Sequence, residues 1–247
     1  MTPELWLAAI NEESEILAST PADDMDLAVP ACPGWTVHDL LGHVGAVRLW
    51  VADRLNGTRQ YRGYDGIAFP DGAEVVGWYA DTRDQLVAAL TSREPDEPVS
   101  TFVGERTVRF WYRRQAHELE VHRYDLESAL RPGKQSPIKA NLAADGVDEW
   151  LEVFAPRFIG KSTGVPDELV GRSLHLHSTD DPDAEWYLEL TPEGIVHRRE
   201  HAKADAALRG PTSDLLLALW HRRSYKDLDI VGDESVVEPT LGLVHVT

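Results

Sequence analysis

TVRFWYRRQAHELEVHRYDLESAL, residues 107–130, holds neither proline nor glycine and reads as one long helix. At about 100° per residue, Trp111, Gln115, Glu118, His122, Asp125 and Ala129 fall on one stripe. A bundle helix normally places Leu and Ile there. This one places a carboxylate and an imidazole one turn apart, with Glu118 and His122 side by side. Burying such groups is costly unless each finds a partner, and a divalent metal is one partner that satisfies both. A buried Glu–His hydrogen bond, or a helix turned so that the pair faces water, accounts for the same pattern.

Upstream, residues 5–19 have helical periodicity through Trp6, Ala9, Ile10, Ile16 and Leu17, with Pro3 suited to a first turn. Prolines at 21, 30 and 33 end that helix. A second starts after Thr36, a good N-cap with Asp39 three residues on, and runs to about Leu55. Val37, Leu40, Leu41, Val44, Val47 and Val51 form its apolar face. His43 lies on the edge of that face, as a satisfied core histidine or as a ligand. Residues 57–71 read as a long connection, and residues 74–90 as a third helix. Four helices with intervening loops predict an antiparallel bundle, in which facing helices could bring His43 opposite Glu118 and His122. We expect helices only up to about residue 133, and strands only after about residue 170.

RPGKQSP, after Leu130, marks a domain boundary. Residues 140–158 are expected to be helical. From Gly171 the hydrophobic period changes to two, in RSLHLHST, EWYLELT, GIVHRRE and ADAALRG, which predict a small antiparallel sheet with tight turns. TSDLLLALWHRR follows Pro211 as a helix, LDIVGD as a last strand, and residues 235–246 as a terminal helix or strand. The fold class expected is therefore α+β in two domains, a four-helix bundle over 1–133 and a small α+β domain over 140–247.

Composition narrows the function. The 247 residues are 43% hydrophobic and 27% charged, an ordinary globular balance. A net charge of −18 argues against nucleic acid or anionic membranes as partners. No apolar run is long enough to span a bilayer, and the N-terminus lacks a signal-peptide pattern, so a cytoplasmic location is expected. The single cysteine, Cys32, excludes an internal disulfide framework. Nothing near it in sequence lowers its pKa, which makes it a weak nucleophile. His117 and Glu118 start like HExxH, but the next histidine is one position too late for a zincin. His175 and His177 alternate with Leu174 and Leu176, so both lie on one face of a strand; they could chelate a metal, but we read that face as solvated. Arg113 with Arg114, and Arg222 with Arg223, could hold anions or simply line helix surfaces.

VPACPGWTVHDLLGHVG (29–45), followed by RRQAHELEVHRYD (113–125), resembles the mycothiol-dependent maleylpyruvate isomerase family, part of the wider DinB-like group of metal-binding four-helix proteins. DLLLALWHRR and IVGD match the last helix and strand of the α+β domain that follows in that family, so the resemblance covers nearly the whole chain. It implies His43, Glu118 and His122 as ligands of about one divalent ion per chain, zinc-like in type by its open coordination positions. Asp125 is either a hydrogen-bond partner behind a ligand or a solvent-facing residue. Arg222, with Arg223 as its neighbour, is implied as the arginine that grips a substrate carboxylate across a cleft between the domains. The implied cosubstrate is mycothiol, with a small anionic or electrophilic molecule as substrate. The implied reaction is thiolate addition to a cis double bond, rotation and elimination. Transfer of mycothiol to electrophiles, or metal or ligand binding without catalysis, are the alternatives.

Overall fold

The computed structural model describes residues 1–162 and 164–245. Two compact units divide between Ser136 and Pro137. The N-terminal unit holds four helices, α1 (Pro3–Ala18), α2 (Val37–Asn56), α3 (Glu74–Thr91) and α4 (Val108–Leu130). α2 packs on α3, α1 on α4, and α4 also meets α2. Thr36 caps α2 by a full capping box: its hydroxyl accepts from the Asp39 N–H, while Asp39 accepts from the Thr36 N–H.

Close approach of the chain to α2 depends on two glycines. A Cβ at Gly42 would overlap the Phe69 ring, and one at Gly45 the Trp78 ring. The aromatic side chains of α3 and of the preceding loop therefore sit directly on the α2 backbone. The interior also contains charge. Arg48 is fully buried on α2 and donates to the Tyr79 hydroxyl at 2.7 Å and to Ser14 Oγ at 2.5 Å, tying α1, α2 and α3 together.

The expectation of helices only before residue 133 is corrected by a hairpin, β1 (Pro98–Thr101) and β2 (Gly104–Thr107). Of its residues only Val99 is buried, so the strands leave no alternating pattern to read. Thr107 ends β2 and is also the N-cap position of α4.

The C-terminal unit begins with α5 (Ala140–Glu149), which continues through a π turn (Trp150–Phe154) into α6 (Ala155–Ile159). The single helix expected over 140–158 is thus interrupted. The Ala155 N–H bonds back to the Trp150 carbonyl, and the widened turn admits Pro156, which cannot donate to an α ladder. Five strands follow: β3 (Ser173–Ser178), β4 (Glu185–Thr191), β5 (Gly194–Arg198), β6 (Ala206–Gly210) and β7 (Asp229–Gly232), in the order β5-β4-β3-β6-β7. The expected antiparallel sheet is mixed, because β6 runs parallel to β3 while the other neighbours are antiparallel. Alternation reveals which residues share a face but not the direction of the neighbouring strand. Leu174, Leu176, Leu188 and Leu208 are fully buried.

α7 (Thr212–Leu219) is shorter than the TSDLLLALWHRR stretch expected to form it; His221, just beyond, has a positive φ of 58° that no helix continues through. α8 (Val237–Leu241) follows a 3-10 turn. The terminal element expected over residues 235–246 is thus helical to Leu241 and irregular over 242–245, and Val246 lies outside the described residues.

Buried charge also joins α1 to α4. Arg123 Nε donates to Glu13 at 2.9 Å and its Nη1 to Glu127 at 3.0 Å, with all three residues buried. Burial pushes the Glu13 carboxyl up, against the opposing charge and hydrogen bond of Arg123. Arg123→Ala should leave Glu13 buried without its cation and cost about 3–5 kcal/mol. Urea unfolding measures the loss; a change below about 1 kcal/mol would mean that this pair contributes nothing net.

Candidate metal centre

Ligand atoms from His43 on α2 and from Glu118 and His122 on α4 all lie within 4.8 Å of one another. The two helices pack together, and i,i+4 spacing puts Glu118 and His122 side by side. His43 Nε2 stands 3.4 Å from Glu118 Oε1, and His122 Nε2 stands 3.3 Å from the same oxygen. Two imidazole nitrogens and one carboxylate oxygen thus converge on one point. The facing helices bring together the three residues that the sequence singled out. The Glu118 side chain is 21% exposed, so the point is open to a small ligand.

Each donor is held from behind. Asp125 is fully buried, and its Oδ2 accepts from His122 Nδ1 at 3.0 Å. With its proton on Nδ1, His122 turns the Nε2 lone pair inward. This resolves the two readings of Asp125 in favour of the partner behind His122. Arg114, 4% exposed, donates to the outer oxygen of Glu118, Oε2, at 3.1 Å. The Arg113–Arg114 pair is therefore not simply a helix surface. Cys32 Sγ lies 3.7 Å from Asp125 Oδ2, as a weak donor to a carboxylate.

Burial has the largest single effect on the Glu118 carboxyl and would raise it. Hydrogen bonds from His122 and His43, with the charges of His122 and Arg114, outweigh burial and hold it well below the usual carboxylate range. For His122 burial works downward, but the hydrogen bonds and charges of Asp125 and Glu118 lift the imidazole to about 9. Three polarised donors that lean on one another in this way suit a cation, and their chemistry fits a divalent metal of the zinc type. Three protein ligands leave coordination positions for a substrate atom.

Aromatic rings wall this point. Trp35 lies 4.7 Å from the His43 ring and 6.5 Å from that of His122, and Tyr64 meets His43 edge-on at 5.2 Å. Sequence reading assigned neither residue a role. Trp35 lies inside the PGWT turn, a visible signal; Tyr64 lies in an aperiodic loop that gives none. Farther along the α4 stripe, Trp111 Nε1 and Gln115 Nε2 are buried without a hydrogen-bond partner among the described residues, as is Trp50 Nε1 on α2. Gln115 stands one turn from Glu118, so these donors are available to a bound polar molecule.

Arg222 follows α7 in the other unit, where its Nη1 donates to the Trp220 carbonyl at 2.9 Å; Arg223 pairs with Asp214 at 3.1 Å. Asp125→Asn should weaken zinc binding at the His43–Glu118–His122 set by about 10–100-fold, since the neutral amide no longer supports the His122 imidazole. Competition with a chromophoric chelator reads this directly, and an unchanged affinity would remove Asp125 from the site.

Comparison with known proteins bears on both units. Residues 6–127 match the family described as the mycothiol maleylpyruvate isomerase N-terminal domain, and residues 141–239 match the MDMPI C-terminal domain. No curated protein matches the sequence. A crystal structure of the mycothiol-dependent maleylpyruvate isomerase superposes with a TM-score of 0.60 over 91% of each chain, at 12% identity. A histidine-to-alanine mutant of that isomerase gives 0.61 over 93% of each chain, at 11% identity. The fold is thus shared across wide sequence divergence, and with both family domains matched in order, this chain belongs to the mycothiol maleylpyruvate isomerase family.

Proposed function

We propose that this protein is a thiol-dependent metalloenzyme of the maleylpyruvate isomerase type, with mycothiol as cosubstrate and zinc held by His43, Glu118 and His122. The observation that carries the reading is the convergence of two Nε2 atoms and one carboxylate oxygen within 4.8 Å, in a chain of this family. A zinc-type ion there would lower the pKa of a thiol brought to it and keep the sulfur as the nucleophilic thiolate. Asp125 fixes the tautomer that presents His122, and Arg114 offsets the charge of Glu118. Trp35 and Tyr64 limit water around His43, which strengthens every charge interaction beside it. Arg222 would hold a substrate carboxylate through a paired contact while the carbon skeleton turns from cis to trans. A cytoplasmic setting suits a reduced low-molecular-weight thiol, and no helix among the described residues is long and apolar enough to cross a membrane.

One observation favours a second reading. Arg222 already donates Nη1 to its own backbone at Trp220, so part of the cationic fork that a dicarboxylate needs is engaged. Uncharged electrophiles need no such fork, and transfer of mycothiol to them is the S-transferase alternative. Purified protein given maleylpyruvate and mycothiol should form the trans isomer, and Glu118→Gln should lower turnover by more than about 100-fold. Formation of a stable S-conjugate with a bimane or chloroarene, without isomerisation, would replace the first reading by the second. Metal uptake with neither activity would leave a binding protein.

Arg222→Ala has a separate expectation. Loss of a charged contact to substrate is worth about 2 kcal/mol, or about 30-fold in kcat/KM for an anionic substrate, at constant metal content and fold. Equal rates for wild type and variant would exclude Arg222 from substrate recognition.

A further inference from the structure

A second convergence of metal-ligating side chains lies in the C-terminal unit. His175 and His177 on β3, Glu185 at the start of β4, and His201 beyond β5 bring four ligand atoms within 4.8 Å of one another. We propose that these four residues form a second, structural binding site for a zinc-type divalent ion, separate from the His43–Glu118–His122 set.

The geometry follows from strand register. His177 is the direct cross-strand partner of Glu185, and His175 lies two residues along on the same face. His175 Nε2 stands 2.9 Å from Glu185 Oε2, and His177 Nδ1 stands 3.3 Å from Oε1. His201 Nδ1 approaches Oε2 at 2.5 Å. The three imidazole centroids form a near-equilateral triangle of 5.1, 5.5 and 5.6 Å around that carboxylate. His201 is exposed, but its segment is pinned. Two residues earlier, Arg199 donates to Asp148 at 2.6 Å and to the Asp183 carbonyl at 2.8 Å.

The face expected to be solvated is in fact covered at His175, which is 4% exposed, while Leu174 and Leu176 on the opposite face are fully buried. β3 is therefore enclosed on both sides where it carries an imidazole, an expensive arrangement for a group that needs polar partners. One divalent cation at this point would give the four convergent donors a shared positive charge. Three imidazoles and a carboxylate suit zinc, and they fill a tetrahedral shell with no position left for substrate, the pattern of a structural rather than a catalytic ion. Tetrahedral ligand atoms stand about 3.4 Å apart, so the set closes by modest side-chain rotation, mainly of the exposed His201. The ion would tie β3, β4 and the segment after β5 together beside the turn that joins β3 to β4.

Equilibrium dialysis of the full, untagged chain against Zn²⁺ tests this, with the double variant His177→Ala/His201→Ala as the comparison. Both substitutions are at partly or fully exposed positions, so the variant keeps the buried His175 and the sheet core. Loss of one equivalent of zinc per chain in the variant is the expected result, whatever the occupancy of the N-terminal set. Zn²⁺ should also raise the Tm of a His43→Ala/His122→Ala protein but not that of a protein with all four substitutions. Equal stoichiometry in wild type and the His177→Ala/His201→Ala variant, or a Tm that Zn²⁺ raises equally in the last two proteins, would overturn the proposal.

Discussion

A carboxylate set among imidazoles inside a helical bundle must be satisfied on every side, and the N-terminal unit is arranged around that requirement at Glu118. One of its oxygens faces two histidines and the other is held by Arg114. Each of those partners needs support in turn. Asp125 supplies it for His122, and Trp35 and Tyr64 pack against His43. α2 can deliver His43 only because the chain packs closely over Gly42 and Gly45. A glycine beside His43 thus serves the cluster through packing rather than chemistry.

The same helix explains why charge is so common in this interior. α4 buries Arg114, His117, Glu120, His122, Arg123, Asp125 and Glu127. α4 also buries Val108, Trp111, Leu119 and Leu126, so apolar burial holds the helix in place while its charged residues each require a partner. His117 with Glu120 at 3.1 Å and Arg123 with Glu13 and Glu127 are such pairs. Buried pairs are weak sources of net stability, but removing one member is costly, so they restrict the helix to one rotation and one depth. That restriction keeps Glu118 and His122 aimed at α2.

The sequence made the helices legible because their apolar positions repeat at 3.6 residues. It made the Glu118–His122 pair legible because two ionisable residues occupied an apolar stripe. The choice of His43 as their partner needed the family pattern, since a lone histidine at the edge of an apolar face has no signature of its own. The 98–107 hairpin was not legible: with Val99 its only buried residue, it shows no period. The parallel pairing of β3 with β6 escaped for another reason, because strand alternation does not encode neighbours. His201 was invisible as a ligand because it stands in an exposed loop, and only the fold returns that loop to β3. Arg114 was read with its neighbour as a possible anion holder, and the carboxylate it holds is one of the protein's own.

The mixed sheet has a consequence for the order in which the C-terminal unit assembles. β3, β4 and β5 form a meander whose neighbours are also adjacent in sequence, whereas β6 reaches β3 only after both hairpins have been traversed. Closing short loops costs less chain entropy than closing long ones, so loop-closure entropy favours the meander over the parallel pairing of β3 with β6. His175, His177, Glu185 and His201 all belong to the meander or the segment directly after it, and none comes from β6 or β7. Their convergence thus draws on strands adjacent in sequence and on the segment directly after them, and needs no residue of the last two strands.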